Sequence, residues 1–265
     1  MRLTVLGTGT ARPAADSAAS GVLVESGDTA VLFDIGSGIA SRLEAAFGPA
    51  TNLSGLVVGH FHADHWIDMA PLRYRFLWGE DSDPKLPVYL PPGGLDKLEH
   101  LAAAIAERPG FFNPAFDVTE YASGDVIRIG NLTIEPHQVG HYVPAWSMNI
   151  TGPDARIVYA GDMGPSEMVV DLARGADLLI LEATLESSLT DDVKRGHLCT
   201  EEAIDHVRRS GVPRGILVHY HSERREVIAE MCKASGVPVV PATPGMVVEV
   251  ASVRPATDQE IVRTG

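Results

Sequence analysis

An α+β fold of two mixed β-sheets packed face to face, with helices on the outer sides, is the class that this 265-residue chain predicts. Three observations predict it. The chain opens on three closely spaced strand signals, and residues 115–136 return to strands. The segments between and after them alternate apolar strands with amphipathic helices. No composition shift, low-complexity tract or internal repeat marks a boundary, so a single domain spanning 1–265 is expected.

The elements follow in order. Strands are read at 2–6, 21–25 and 30–34, the last two joined by a turn at Gly27-Asp28. A short helix at 36–47 precedes the apolar strand 55–59, and a longer helix covers 67–77. Strand 87–90 and helix 94–107 form a further β/α unit before the strands of 115–136. After a strand following His141, strand 156–160, helix 166–174, strand 177–181, helix 200–209, strand 215–219 and helix 224–234 alternate. Short strands at 237–240 and 246–250 complete the chain.

Composition narrows the function classes. With 45% hydrophobic and 21% charged residues the chain is an ordinary globular protein. Its formal charge of −14 argues against a long nucleic-acid footprint, which Lys and Arg drive by releasing counterions, although a short RNA stays open. The two cysteines, Cys199 and Cys232, require no disulfide framework and suit a reducing cytoplasm. Met1-Arg2 runs directly into a strand, leaving no room for a signal peptide, and no apolar run would span a bilayer. A cytoplasmic protein with no membrane partner is expected.

The densest chemistry is His60-Phe61-His62-Ala63-Asp64-His65, four candidate metal ligands in six residues immediately after an apolar strand. An extended backbone points alternate side chains the same way. His60 and His62 can therefore grip one ion, while Asp64 and His65, turning into the next helix, face a second. Imidazole and carboxylate without thiolate suit zinc, manganese or iron.

His141, Asp162 and His219 each lie just beyond an apolar strand, where side chains converge on a common rim. With the first cluster they supply enough ligands for two divalent ions. One would be held by His60, His62 and His141, the other by Asp64, His65 and His219, with Asp162 bridging both. His137 and His221 are rivals by position. Arg73 and Arg75, on the helix after the cluster, are candidates to meet substrate phosphate, with a solvated helix face as the alternative. Gly7-Thr8-Gly9-Thr10 lacks the further Gly and Lys of a phosphate-cradling loop and reads as a tight turn. Asp34, with Gly36 and Gly38, is expected to hold the loops beneath the site.

Through His60-x-His62-x-Asp64-His65 the chain resembles the metallo-β-lactamase superfamily. Within it, the RNase Z-like branch is the most similar, a branch that includes tRNA 3′-processing endonucleases and cyclic-nucleotide phosphodiesterase-like proteins. The segments carrying this are Leu6-Gly7-Thr8-Gly9-Thr10, Phe33-Asp34-Ile35-Gly36-Ser37-Gly38, Tyr159-Ala160-Gly161-Asp162, Leu181-Glu182-Ala183-Thr184, His197-Leu198-Cys199-Thr200-Glu201-Glu202-Ala203 and Leu217-Val218-His219.

The resemblance implies an αββα sandwich and the ligand assignment above, with His141 and His219 preferred and His221 left to face substrate. It implies that Glu182 orients His197 as proton donor or charge stabiliser over a reacting phosphate. Taken by itself, His197 beside Gly196 reads more readily as a surface residue. The implied reaction is hydrolysis by a hydroxide shared between two metal ions, for which zinc is the expected metal, with Asp64 both ligating and steering the hydroxide.

Two departures bear on substrate. Only the short helix 166–174 separates the Asp162 motif from the next strand, where tRNA-processing members carry a long arm, and Ser147-Met148-Asn149 replaces their Gly-Tyr-Arg. A small phosphodiester, a cyclic nucleotide or short RNA, is the expected substrate. The alternatives are a thioester, lactone or β-lactam on the same fold, and then tRNA 3′ processing. A homodimer through the 66–77 helix, with Trp66, Tyr74, Phe76 and Trp78, is the expected assembly.

Overall fold

The computed structural model describes residues 1–48, 53–78, 85–188 and 195–252. Its elements in chain order begin with β1 (Arg2–Thr8), β2 (Ser20–Ser26), β3 (Thr29–Phe33), α1 (Ile39–Phe47), β4 (Gly55–Val57), α2 (Ala63–Trp66) and α3 (Met69–Trp78). Next come β5 (Leu86–Leu90), α4 (Gly94–Ala106), β6 (Phe116–Glu120), β7 (Ile127–Ile129), β8 (Leu132–Val139), β9 (Ala145–Thr151) and β10 (Arg156–Tyr159). The chain continues with α5 (Glu167–Ala173), β11 (Leu178–Glu182), α6 (Thr200–Ser210), β12 (Gly215–Val218), a 3-10 turn (Ser222–Arg224), α7 (Arg225–Ser235), β13 (Val239–Pro241) and β14 (Val247–Glu249).

These strands form two seven-stranded mixed sheets, ordered β14-β1-β2-β3-β4-β5-β6 and β13-β12-β11-β10-β9-β8-β7. The expected α+β architecture is the observed one. Alternation along the strands builds the layers: in β11, Leu178 and Ile180 face the core between the sheets, while Leu179 and Leu181 face helices. Leu3, Val5, Phe33, Ile134, Ile150 and Ile216 share the inter-sheet core. Ile39, Leu43, Met69 and Leu98 cover the outer face of the first sheet, and Val169, Ala203, Val207 and Ile228 that of the second. Strands buried on both faces read as continuous apolar runs, which explains their legibility. No helix among the described residues is long and apolar enough to cross a membrane.

Two local differences matter for the site. The helix expected at 67–77 is found as α3 at Met69–Trp78, and a separate short helix, α2, precedes it because the backbone between the two bonds to a neighbouring loop. Ile35 N–H donates to the His65 carbonyl at 2.7 Å, and Asp68 N–H to the Ile35 carbonyl at 3.1 Å. Gly36 makes this approach feasible, since a Cβ there would lie 1.8 Å from the Asp64 carbonyl oxygen. The strand expected at 55–59 ends at Val57, and Gly59 N–H turns to the Asp34 carboxylate at 2.7 Å.

Candidate metal centre

The candidate ligands meet at the carboxyl ends of strands from both sheets. The His60–His65 segment follows β4, His141 follows β8, Asp162 follows β10 and His219 follows β12. Their donor atoms form three overlapping groups, each within 4.8 Å: His60, His62, His141 and Asp162; Asp64, His65 and His219; and Asp162, His197 and His219. Asp162 Oδ2 lies between the first two. It is 3.8 Å from His60 Nε2, 4.0 Å from His141 Nε2, 3.2 Å from His65 Nε2 and 3.4 Å from His219 Nε2.

The hydrogen bonds behind the rings show what belongs between these groups. His141 Nδ1 faces the Gly196 carbonyl at 2.6 Å and His65 Nδ1 faces the Asp34 carboxylate at 2.8 Å, and both partners only accept. Thr184 Oγ1 donates to Glu182 Oε2 at 2.5 Å and so accepts from His219 Nδ1 at 2.7 Å. All three rings therefore carry the proton on Nδ1, and in the neutral form each aims an Nε2 lone pair inward.

The His219 lone pair meets a carboxylate, and the His141 lone pair meets a ring nitrogen of His62. His141 Nε2 is 3.0 Å from His62 Nδ1, and His219 Nε2 is 3.1 Å from Asp64 Oδ2. The buried Nε2 atoms of His60 and His65 have no hydrogen-bond partner. Such an arrangement is repulsive unless cations or extra protons lie among the donors, and an all-nitrogen and oxygen set fits zinc, manganese or iron. These clusters are suited to binding metal ions.

Electrostatics agree. Burial, with the neighbouring His65 charge, pushes His60 well below its ordinary value, and burial brings His141 down to about 4, so both stay neutral donors. Burial would lower His65 too, but Asp162 and Asp34 more than offset it and raise the value. Burial would raise Asp162, yet His219 and His65 hold it well below the carboxylate range. This field favours positive charge at the centre, whether as protons or as metal ions.

Beside the donors, His197 Nδ1 and Glu182 Oε1 are 2.8 Å apart, and the same oxygen accepts Met163 N–H at 2.8 Å. His197 Nδ1 is 4.0 Å from Asp162 Oδ2. Burial would lower the His197 pKa, but the hydrogen bond and charge of Glu182 raise it.

Two positioning residues escaped the sequence. Tyr159 O–H donates to Asp34 Oδ2 at 2.7 Å, the oxygen that also holds His65, and Thr184 links Glu182 to His219. Tyr159 looked like strand interior. Thr184 had one available signal, a hydroxyl two residues beyond Glu182 at a strand end. Asp34 and His219 themselves adopt left-handed φ of 59° and 48°, strain that such sites commonly hold.

The expected phosphate-facing role of Arg73 and Arg75 is corrected. Arg73 is 4% exposed, with its guanidinium 3.8 Å from the Phe111 ring centroid and its Nε bonded to the Phe111 carbonyl. Arg75 pairs with Glu44 and donates to the Gly48 carbonyl at 3.1 Å. An aromatic face and carbonyls satisfy these cations within the fold. His137 lies on β8 opposite Ser147, outside the donor groups. His221 also lies outside them, with Nδ1 3.3 Å from Thr10 Oγ1, lining a cavity of about 210 Å³ with Gly9, Arg12 and Glu223.

Residues 29–220 match the family described as the beta-lactamase superfamily domain. The chain belongs to the metallo-β-lactamase superfamily of metal-dependent hydrolases. An uncharacterized protein of Mycobacterium leprae is 34% identical over 239 residues, covering 87% of this chain and 82% of that protein. A ribonuclease Z of Mycobacterium bovis is 28% identical over 240 residues, covering 83% and 86%. The crystal structure of the metallo-beta-lactamase fold protein YhfI from Bacillus subtilis is similar with a TM-score of 0.81 and 26% identity, covering 93% of this chain and 98% of that one.

Proposed function

We propose that this protein is a dinuclear metal-dependent phosphodiesterase acting on a small phosphodiester, a cyclic nucleotide or a short RNA. His60, His62 and His141 would hold one ion and Asp64, His65 and His219 the other, with Asp162 available to both. The observation that carries the reading is the convergence of His60 and His141 from one donor set, His65 and His219 from the other, and His197 on Asp162 Oδ2, all within 4.0 Å. When bound, such ions lower the pKa of water and neutralise charge on phosphate oxygens.

The chain's own groups supply the rest. Asp64, beside His65 and His219 in the second donor group, would orient the attacking water as a carboxylate. Glu182 holds the Nδ1–H of His197, so the charged ring keeps Nε2–H for the leaving oxygen. A proton donor of this kind serves an alkoxide leaving from phosphorus better than a thiolate, which leaves unaided. The ribonuclease Z relative supports phosphodiester chemistry. The seven-residue α5, in the place expected of a tRNA-binding arm, favours a smaller substrate. His221 and its cavity would face that substrate. Zinc is the metal we expect, with manganese or iron able to fill the same donors.

Two buried free thiols support a reducing cytoplasm. A homodimer through α3 would use Tyr74, since Trp66 and Phe76 pack against the core.

The test is turnover of bis(p-nitrophenyl) phosphate by metal-analysed protein, beside a β-lactam and a glutathione thioester. Diester cleavage abolished by Asp162→Ala and reduced by His197→Ala is expected. Activity confined to the lactam or thioester would overturn the reading.

A further inference from the structure

Among the described residues only two Phe, Tyr or Trp side chains are largely exposed, Tyr74 at 40% and Tyr142 at 51%. Only Tyr142 touches the donor cluster. Its ring centroid lies 5.1 Å from that of His141 and 5.4 Å from that of His197. The ring is seated on Gly196, where a Cβ would come within 2.5 Å of its carbons. The carbonyl of the same glycine receives His141 Nδ1–H. One backbone unit thus fixes both a ligand candidate and an aromatic ring beside the proposed proton donor.

We propose that Tyr142 is a stacking platform for a nucleobase next to the scissile phosphate, so that nucleotide-bearing phosphodiesters are the preferred substrate class. The inference rests on the phosphodiesterase reading above. A rigid aromatic face selects a flat ring, and a nucleoside carries one a single ribose away from its phosphate. That is the arrangement set out from the donor cluster through His197 to Tyr142. A sugar or lipid phosphodiester offers nothing planar to the ring. Stacking needs no particular base, so the platform accepts any nucleobase.

The experiment compares kcat/KM of the metal-loaded protein for adenosine 2′,3′-cyclic phosphate and for methyl riboside 2′,3′-cyclic phosphate, followed by phosphorus NMR. The wild-type ratio should favour the adenosine ester by about ten-fold or more. It should fall toward one in Tyr142→Ala and be retained in Tyr142→Phe. A ratio unchanged by Tyr142→Ala, with cleavage intact, overturns the platform and leaves the phosphodiesterase reading standing. If neither ester nor bis(p-nitrophenyl) phosphate is cleaved, the phosphodiesterase reading fails, and calorimetry with AMP and ribose 5-phosphate tests the platform separately. A preference for AMP that Tyr142→Ala removes upholds it; equal binding overturns it.

Discussion

Asp34 and His65, 31 residues apart in sequence, are joined at 2.8 Å beneath the donor cluster. The same carboxylate takes Gly59 N–H and Tyr159 O–H, each at 2.7 Å, so one buried side chain ties the end of β3, the loop after β4 and the end of β10. Because an ionised carboxylate only accepts, it dictates the tautomer of His65 and leaves Nε2 as the donor atom.

Asp34→Asn should therefore weaken metal binding while preserving the fold. Asn tolerates the left-handed φ of 59°, but its amide can turn a donor toward His65 Nδ1 and move the ring proton to Nε2. Loss of such a partner costs about 10–100-fold in metal affinity. Competition against a chromogenic chelator reads this directly, with circular dichroism checking the fold. Wild-type affinity in the variant would show that the carboxylate does not set the tautomer.

Glu182 gives a pH-dependent expectation. Burial would lower the His197 pKa, but the hydrogen bond and charge of Glu182 raise it above 6.5. A raised basic pKa means that the stabilisation from the pair is fully present below 6.5 and is lost as pH rises through the raised value. Turnover that needs the charged ring declines on the same alkaline side. Glu182→Gln should move that limb to lower pH and reduce kcat, in profiles recorded at saturating metal. A limb in the same place for both proteins would remove Glu182 from any control of His197.

Most of the site was legible because its residues follow apolar strands. In β10 and β12 the runs Ile157-Val158-Tyr159 and Ile216-Leu217-Val218 announce buried strands, and what comes next in the chain must lie at the rim. Tyr159 and Thr184 were opaque for the opposite reason. Their roles depend on Asp34, 125 residues from Tyr159, and on His219, 35 residues from Thr184, and only Glu182, two residues before Thr184, offered a local signal. The division of α2 from α3 was hidden likewise, since apolar periodicity does not show that Ile35 competes for the backbone of His65 and Asp68.

Arg73 illustrates how helix position misleads. Its place on the helix that follows the ligand cluster suggested phosphate, whereas its guanidinium packs on Phe111. Arg73→Ala should lower stability by about 1–2 kcal/mol, through the lost cation–π contact and an unpaired carbonyl. Diester turnover at saturating metal should be unchanged. Urea denaturation and steady-state kinetics separate the two effects, and a large fall in kcat/KM with unaltered stability would restore Arg73 to substrate binding.

Metal removal should cost more stability as pH rises above 6.5. Without cations the inward Nε2 atoms of His65 and His219 face Asp64 and Asp162, and protons are the only other charge that relieves the contact. His65 has a raised pKa: burial opposes this, but Asp162 and Asp34 prevail, so its stabilising proton is held below 6.5 and lost as pH rises through the raised value. His60 and His141, lowered by burial, do not replace it in that range. Metal ions, in contrast, bind better as competing protons leave. At a thousand-fold excess over Kd they contribute about 4 kcal/mol. Thermal melts of chelated and zinc-loaded protein should thus diverge with increasing pH and converge toward pH 6, and curves that run parallel would show that the cluster does not exchange protons for metal.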